Sequence, residues 1–318
     1  MRRTRTKGGM SPISLGSLVL IVPFIASINL ADAETFRVAT YNLDNYLDAP
    51  AGTRRSAKSE ESKAKVRESI LAIKPDVLAV EEMGTVSALE ELRGSLKTQG
   101  LDFPNWEYVS GFDTNIHIAI LSKFPFTSVQ PQTNDSFLLN GKRFRVSRGF
   151  ALVDVQVNTN YSFTLIAAHL KSKRPIPAAD EVELRHEEAK VLREKIEEAF
   201  AAKPNVNLVV LGDLNDYKDS SSIKEGMGRG KHKLVDTRPA ERNGDNPANP
   251  PRMLDTPTVT WTHYYATEDL YSRLDYILLS LGMAREWVTN ETYVLALPNW
   301  GKGSDHRPVV ATFEAEER

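Results

Sequence analysis

A series of short apolar strands, several of which end in a polar side chain, constrains the fold of this chain more than any other sequence feature. Apolar runs rich in β-branched residues occupy positions 36–41, 77–80 and 206–211, and each is short enough to form a single buried strand. Further strands are predicted at 116–121, 149–157, 161–168, 274–279 and 308–313. Because helical patterns lie between these strands, we predict an α+β fold.

Two helical patterns are clear. Val66, Ile70 and Ile73 lie on one face of a helix predicted over 60–73, which a Lys-Pro pair ends. The longest helix is predicted over 179–202, where charged residues alternate with apolar residues at helical spacing. Both helices carry an apolar face, so each is expected to pack against a sheet.

The rest of the chain gives no sign of a second domain. Residues 220–258 are rich in Gly, Pro, Asn and charge, and we predict a long surface excursion there. The sequence contains no internal repeat and no linker that would divide it. We therefore expect residues 34–318 to form a single domain.

Residues 1–33 have the pattern of a secretory signal peptide. Four basic residues fall within positions 2–7, an apolar stretch follows at 13–30, and the small residues Ala31 and Ala33 then stand where a signal peptidase cleaves. The alternative is an uncleaved membrane anchor, because the apolar stretch approaches the length of a membrane span. We expect a secreted or periplasmic protein that has no stable association with the membrane after cleavage.

Composition excludes several kinds of site. The chain has no cysteine, which excludes disulfides, a cysteine nucleophile and thiolate metal sites. Residues 1–33 hold four basic residues and one acid, so removing them leaves 36 Lys+Arg against 41 Asp+Glu, a net charge of −5. Proteins that coat nucleic acid carry a positive total charge, so that role is not expected. The composition does not exclude local basic patches, nor sites in which oxygen ligands bind a hard cation.

Histidine, carboxylate and amide side chains lie at the ends of the predicted strands. They are Asn42, Glu82, His169, Asp213, Asn215, Asp275, Asp305 and His306. A single Asp or Asn in such a position is more often a turn former than a catalyst. The combination of two histidines with several carboxylates and amides instead indicates a site built from converging loops.

The same strand ends carry motifs that can be compared with known families. In chain order they are ATYNLDNYL, DVLAVEEM, NIHIAILSKFPF, AAHLKSK, LGDLND, RLDYILLS and SDHRPVV. Their order and content resemble the endonuclease/exonuclease/phosphatase (DNase I-like) superfamily over about residues 36–313. The resemblance implies a four-layer α/β/β/α sandwich, in which two mixed β-sheets pack face to face with helices outside. One position departs from the family pattern, since Glu81 stands where a Gln is usual.

The resemblance also implies a metal-dependent phosphoric ester hydrolase. Asn42, Glu82 and Asp305 would be its metal ligands, and their oxygen atoms suit Mg²⁺ or Mn²⁺, and also Ca²⁺. His306 would act as the general base because the ordinary pKa of histidine lies near neutrality. Asp275 would orient the His306 ring and stabilise its charged form.

Further residues are expected to handle the phosphate and the water. His169 would contact the phosphate and assist the leaving oxygen, while Asp213 and Asn215 would hold the attacking water and a phosphate oxygen. Three basic residues that follow His169 are predicted to bind substrate: Lys171, Lys173 and Arg174. For His263, in the aromatic segment TWTHYY, a packing role is favoured over a role at the site.

Three functions are compatible with these patterns. The first is a phosphodiesterase that cleaves DNA or RNA with little sequence preference, acting as a monomer. The second is a phosphatase or phospholipase-like diesterase that acts on a small phosphate ester or a lipid headgroup; the acidic charge favours it slightly, although no apolar hairpin is obvious in the sequence. The third is a catalytically inactive binding module, which the presence of every expected site residue disfavours.

Overall fold

The computed structural model describes residues 34–52, 56–242 and 260–316, together with the single positions Met1 and Gly8. The chain divides into two compact units, Met1–Asp32 and Ala33–Arg318. Apart from those two positions, the predicted signal peptide lies outside the described residues, as does the 243–258 part of the predicted excursion. Among the described helices, none is long and apolar enough to cross a membrane.

Two mixed sheets form the centre of the second unit. Within the described residues the first sheet has seven strands. Their spatial order is β12 (Ala240–Arg242), β16 (Trp287–Leu295), β17 (Val309–Glu314), β1 (Thr35–Tyr46), β2 (Val77–Met83), β4 (His117–Ser122) and β3 (Asn105–Val109). The β1–β2 and β12–β16 pairs are parallel and the other pairs are antiparallel.

The second sheet has six strands among the described residues. Their order is β11 (Val235–Asp236), β15 (Asp275–Leu279), β10 (Leu208–Asp213), β9 (Ser162–Ala168), β8 (Phe150–Gln156) and β5 (Phe126–Val129). Only the β9–β10 pair of this described sheet is parallel. Two short hairpins stand apart: β6 (Ser136–Leu139) with β7 (Lys142–Arg145), and β13 (His263–Tyr265) with β14 (Leu270–Ser272).

Helices cover the outer faces of both sheets, which gives the predicted four-layer sandwich. They are α1 (Glu60–Ile73), α2 (Val86–Thr98), α3 (Glu181–Ala202) and α4 (Ser221–Met227). Three apolar cores separate the four layers: one lies between the sheets, one packs the first sheet against α1 and α2, and one packs the second sheet against α3 and α4. Successive side chains of a strand point to opposite faces of the sheet, so each strand contributes residues to two different cores. In β10, Val209 and Leu211 face the core between the sheets, whereas Leu208 and Val210 face the helices.

The site lies at the edge where the two sheets come together. In the first sheet Asn42 is paired in register with Glu81, and in the second sheet Asp213 is paired with Asp275. The Asn42 side chain donates a hydrogen bond to the Asp213 carboxylate at 3.0 Å and so joins the two sheets. Strand pairing within each sheet and this contact between them therefore bring distant parts of the sequence to one place.

The sequence patterns located most of these elements but omitted several. The helix predicted over 60–73 matches α1. Each strand that was predicted next to a site residue is also present, with its ends shifted by a few residues. Helix α2 was not predicted, although Thr85 caps its first turn and Leu89, Leu92 and Leu96 face the core at helical spacing. The two hairpins and β16 were also not predicted, because their residues are too polar to form an alternating apolar pattern.

The aromatic cluster around Phe36 provides a test of the sandwich. Its ring packs against Phe163 and Phe313 with centroids 5.2 and 5.6 Å apart, in the core between the sheets. We expect Phe36→Ala to lower the free energy of unfolding by about 3–5 kcal/mol in urea titrations, through lost burial and the cavity it leaves. The control Phe112→Ala, at a side chain that is 63% exposed, should change it by less than about 1 kcal/mol. Equal effects would contradict the placement of the core.

Candidate active site

Asp213, the last residue of β10, lies at the centre of the site. Its buried Oδ2 accepts hydrogen bonds from Asn42 Nδ2 at 3.0 Å and from Asn215 Nδ2 at 3.2 Å. Its Oδ1 accepts one from the Asn215 backbone N–H at 2.9 Å. Burial raises the pKa of Asp213 to about 6, while the charge of His306 lowers it and that of Asp275 raises it. This carboxylate therefore titrates in the range where acceptance of a proton from water is most effective.

His306 lies between two carboxylates. Its Nδ1 is 2.7 Å from Asp275 Oδ2, and its Nε2 is 3.7 Å from Asp213 Oδ2. The Asp275–His306 pair that the family resemblance implied is thus present. Burial lowers the pKa of His306, but the charges of Asp275 and Asp213 outweigh burial, so the pKa is raised well above its ordinary value. Asp275 therefore both orients the ring and stabilises its protonated form.

His169 approaches Asp213 from another direction. Its Nε2 is 3.5 Å from Asp213 Oδ2, and its side chain is buried. Strand β9, which is parallel to β10, ends just before it. Leu170 N–H donates to the Asp213 carbonyl at 3.1 Å, and Asn215 Nδ2 donates to the Leu170 carbonyl at 3.1 Å. These bonds hold the ends of β9 and β10 together and fix His169 and Asn215 on the same carboxylate.

The loop before β17 is fastened to β1 through a serine. Ser304 Oγ donates to the Asn42 carbonyl at 2.7 Å and accepts the His306 backbone N–H at 3.0 Å. The loop that carries Asp305 and His306 is thereby placed over the strand that carries Asn42. Sequence analysis did not select Ser304, because a serine in a loop gives no signal of its own.

His263 belongs to the site, which corrects the expectation that it has a packing role. It forms a β-bridge with His306, and the two rings are 4.5 Å apart. Its Nε2 is 3.6 Å from Asp305 Oδ2. The aromatic-rich segment around His263 was the available signal, but its partner lies 43 positions further along the chain, so local pattern could not identify the contact.

A cluster of carboxylates lies beside these histidines. Glu82 is at a β-bulge of β2 with φ of 59°, which turns its side chain away from the regular alternation. Its Oε2 accepts the Asn45 backbone N–H at 3.0 Å. Burial raises the pKa of Glu82, and the negative charges of Asp305 and Asp44 raise it further. Three carboxylates thus face one another, and Asp44 is a member that sequence analysis did not select.

This cluster fits a divalent cation. Glu82, Asp305 and Asp44, together with the Asn42 amide, supply the hard oxygen ligands that Mg²⁺ and similar ions prefer. Mutual repulsion among the carboxylates is the condition that a bound cation relieves. Lys58 lies next to the same carboxylates and donates to the Asp44 carbonyl at 2.8 Å. The charges of Asp305 and Asp44 act on Glu82, and Asn42 Oδ1 accepts the Asp44 backbone N–H at 3.0 Å; metal binding by Asn42, Glu82 and Asp305 stays a prediction.

Two groups among the described residues have ligand atoms close enough together to hold a metal ion. They are His263, Asp305 and His306, and Asp213, Asp275 and His306. In the second group, the 2.7 Å hydrogen bond already occupies Asp275 and His306 with each other. The first group contains Asp305, which is a predicted ligand and whose charge acts on Glu82, so a cation is expected beside Asp305.

Glu81, the one departure from the family pattern, is completely buried. Its Oε1 accepts a hydrogen bond from Thr40 Oγ1 at 2.7 Å. Burial raises the pKa of Glu81 well above its ordinary value, and the neighbouring Asp275 and Asp213 add to the shift. The raised pKa favours the neutral form of the side chain, which has the size and charge of the Gln that the family usually has there.

The three predicted substrate-binding residues have different surroundings. Lys171 Nζ donates to the carbonyls of Ser172 and Arg174, both at 2.8 Å, so its ammonium group stabilises its own loop. Lys173 Nζ lies 3.1 Å from the ring centroid of the half-exposed Tyr217. Arg174 is exposed. Contact with substrate stays a prediction for Lys173 and Arg174, whereas Lys171 has a structural role.

A buried charged network on α3 supports the loop after His169. Glu188 accepts the Lys171 backbone N–H at 2.6 Å, and Arg185 donates to the Lys171 carbonyl at 3.1 Å. Arg185 Nε also donates to Asp216 Oδ2 at 3.1 Å, which links this loop to the one that follows Asp213. Sequence analysis missed Arg185 and Glu188, because α3 is so rich in charge that buried members do not stand out.

The four-layer fold and the acid–histidine site define a class of phosphoester hydrolase. A model of the Endonuclease/Exonuclease/phosphatase family matches residues 39–306. The chain belongs to this family, and it is accordingly a metal-dependent phosphoric ester hydrolase. A search of curated proteins found no match.

Solved structures share the fold at low sequence identity. The human Nocturnin catalytic domain with bound sulfate has a TM-score of 0.60 at 16% identity, over 89% of this chain and 95% of that one. Sphingomyelinase C from Streptomyces griseocarneus has a TM-score of 0.54 at 19% identity, over 88% of this chain and 100% of that one. A mannosyl-6-phosphatase from Bacteroides thetaiotaomicron has a TM-score of 0.54 at 18% identity, over 87% of this chain and 98% of that one. At these identities the similarity establishes the fold alone.

The neutral state of Glu81 predicts a pH-dependent difference in stability. A carboxyl group whose pKa is raised by folding stabilises the protein below its unfolded pKa, near 4.5, and this contribution is lost as pH rises towards the folded pKa. Glu81→Gln removes the titration and keeps the shape. We expect the unfolding free energy of the variant, relative to the unaltered protein, to rise by about 1.4 kcal/mol per pH unit above pH 5.

Urea unfolding at half-unit intervals between pH 5 and 8 measures this difference. Glu90→Gln, at an exposed position of α2, is the matched control and should give a difference that does not vary with pH. A pH-independent difference for Glu81→Gln would show that Glu81 is ionised in the folded protein.

Proposed function

We propose that this protein is an exported, divalent-metal-dependent phosphodiesterase that cleaves DNA or RNA with little sequence preference. The observation that carries the proposal is the presence of exposed aromatic rings, one of them paired with a cation, beside the acid–histidine centre. Tyr217, two residues after Asn215, is 50% exposed and has Lys173 over its ring. Tyr271, on the hairpin that carries His263, is 59% exposed. Bases stack on such rings whatever their sequence, while nearby cations attract the phosphates.

The site residues divide the chemistry of ester hydrolysis between them. As the water oxygen bonds to phosphorus, its proton passes to the Asp213 carboxylate. The protonated His306 ring, whose Nε2 is 3.7 Å from that carboxylate, stabilises the charge that develops on the phosphoryl oxygens, and Asp275 keeps the ring protonated. His169, on another side of Asp213, assists the leaving oxygen as its bond to phosphorus breaks. A divalent cation bound at Glu82 and its neighbours would neutralise phosphoryl charge and lower the pKa of a bound water.

The proposals of export and of a monomer have separate support. The basic, apolar and small-residue segments of residues 1–33 support export by signal peptide. An exported enzyme of this kind would degrade extracellular nucleic acid. The site residues all come from one chain, and this supports activity as a monomer.

A lipid phosphodiester is the second candidate, and one observation favours it. The β13–β14 hairpin next to His306 exposes Tyr265, Leu270 and Tyr271, which are 45, 44 and 59% exposed. Exposed aromatic and aliphatic side chains at one edge are suited to the surface of a bilayer. Glu268 lies between the two strands and disfavours an anionic membrane surface. We therefore rank a lipid substrate below nucleic acid.

A hydrolysis screen tests the proposed function. Supercoiled plasmid, single-stranded RNA, sphingomyelin micelles, bis-p-nitrophenyl phosphate and p-nitrophenyl phosphate are incubated with the purified protein and Mg²⁺ or Mn²⁺. We expect plasmid nicking, RNA cleavage and hydrolysis of the model diester, all abolished by EDTA and restored by added metal. His306→Ala should reduce each rate by about 10²–10⁴-fold, the usual contribution of a positioned acid–base group.

The matched control is His232→Ala. His232 pairs with Glu197 and stacks on Phe200, away from the carboxylate cluster, and its variant should retain full activity. Cleavage of sphingomyelin without plasmid or RNA would replace the nuclease proposal with the lipid candidate. Hydrolysis of p-nitrophenyl phosphate alone would indicate a phosphomonoesterase.

A further inference from the structure

A strongly basic cavity adjoins the site beyond Tyr217. It has a volume of about 340 Å³ and lies between α4 and the strand β11. Five cationic side chains line it: Lys218, Lys224, Arg229, Lys233 and Arg238. We call this cavity the α4 pocket. None of its residues was selected by sequence analysis, and none takes part in the chemistry described above.

The positive charge of the α4 pocket is not neutralised within the part of the chain that the structure describes. Of its two acidic residues, Asp236 is bound by Arg273 through hydrogen bonds of 2.8 and 2.6 Å, which leaves Asp219. None of the five cations forms an ion pair with a described carboxylate. Arg238 Nε is shielded from solvent and has no described hydrogen-bond partner. A pocket with this charge is suited to an anionic ligand.

The pocket borders the loop that follows the catalytic residues of β10. Lys218 is separated from Asn215 by two residues, and Tyr276 Oη holds the intervening segment by donating to the Asp216 carbonyl at 2.9 Å. On the other side, Asp236 pairs with Leu278, near the end of β15 opposite Asp275. The pocket is therefore next to the catalytic loop in sequence but extends away from the catalytic centre along the second sheet.

Hydrogen bonds hold the turn that carries several of these cationic side chains. Arg193 of α3 donates to the His232 carbonyl at 3.0 Å and to the Gly226 carbonyl at 3.4 Å, so it fastens both sides of the turn after α4. The backbone N–H of Leu234 donates to the Met227 carbonyl at 2.8 Å and closes the same turn. Because the turn is held before any ligand arrives, little ordering entropy is lost on binding.

We propose that the α4 pocket binds a backbone phosphate of a nucleic-acid strand at a distance from the scissile bond. This inference rests on the proposed nuclease function and identifies its second contact with substrate. A phosphate held in the pocket therefore belongs to a nucleotide other than the one whose ester bond is cleaved. Contacts to phosphate fix the position of a strand without reading its sequence. The pocket also explains how a chain with net negative charge can hold a polyanion.

The test compares strands of different length with a substrate too small to reach the pocket. The variant carries Lys224→Ala, Arg229→Ala and Lys233→Ala, three exposed positions on the pocket rim. KM and kcat are measured for a 20-nucleotide single strand, a dinucleotide and bis-p-nitrophenyl phosphate over a series of salt concentrations. The matched control carries Lys203→Ala, Lys231→Ala and Arg285→Ala in a second basic cavity, next to Asn207 before the start of β10.

We expect the α4 variant to raise KM for the 20-nucleotide strand at least about tenfold near 0.1 M salt, with kcat unchanged. The slope of log KM against log salt should fall by about 0.7, the contribution of one phosphate contact on a single strand. Hydrolysis of the dinucleotide and of bis-p-nitrophenyl phosphate should be unchanged, and the control should match the unaltered protein. Lys224→Gln with Lys233→Gln should change KM and the slope in the same direction, because charge is the cause.

Two negative results separate the pocket from the function on which it rests. If the unaltered protein cleaves the strand and the α4 variant has the same KM and salt slope, the pocket assignment is wrong and the nuclease proposal stands. If the unaltered protein hydrolyses bis-p-nitrophenyl phosphate but neither binds nor cleaves the strand, both proposals are wrong. A loss of bis-p-nitrophenyl phosphate hydrolysis in both the alanine and glutamine variants would also overturn the assignment, since it would place these residues in the chemistry.

Discussion

The buried carboxylate of Asp213 is the point on which the rest of the site depends. It lies at the end of β10 and accepts hydrogen bonds from Asn42 of the opposite sheet and from Asn215 of its own loop. His169 and His306 face it from two sides, at 3.5 and 3.7 Å. A buried carboxylate carries a desolvation cost unless polar partners surround it. The same partners that offset this cost are those needed for phosphoryl chemistry, so the fold and the activity share one set of contacts.

The charges around this carboxylate set the direction in which the pKa of each site residue is shifted. Asp275 keeps His306 protonated and oriented, while burial raises the pKa of Asp213 towards neutrality. Beside them, Glu82 and its neighbouring carboxylates repel one another in a way that a cation would relieve. Burial raises the pKa of Glu81 well above its ordinary value, which favours the neutral form of this carboxyl group beside Asp213 and Asp275. The site therefore separates a proton-accepting part from a cation-binding part.

Patterns that are local in sequence predicted the fold better than the site. The period of α1 and the apolar run of β10 each favour one structure, so these elements could be predicted, whereas the four-layer sandwich was implied by the family resemblance. The Asp275–His306 hydrogen bond joins residues 31 positions apart, and only family resemblance suggested it. His263 reaches the site through a β-bridge and Asp44 through an irregular part of β1 where the strand register shifts, and no local pattern exists for either. Contacts of this kind arise from strand pairing, which composition and period do not specify.

The substitution Asp213→Asn tests most directly whether this carboxylate serves catalysis rather than folding. Asparagine keeps the size of the side chain and removes a buried charge, but it also replaces one accepting oxygen with an amide donor, so we predict a folded protein whose Tm falls by no more than about 5 °C. The rate of bis-p-nitrophenyl phosphate hydrolysis should fall by about 10²–10⁴-fold, because the proton acceptor is lost. A variant that keeps its activity, or one that loses activity only because it unfolds, would contradict the central role given to Asp213.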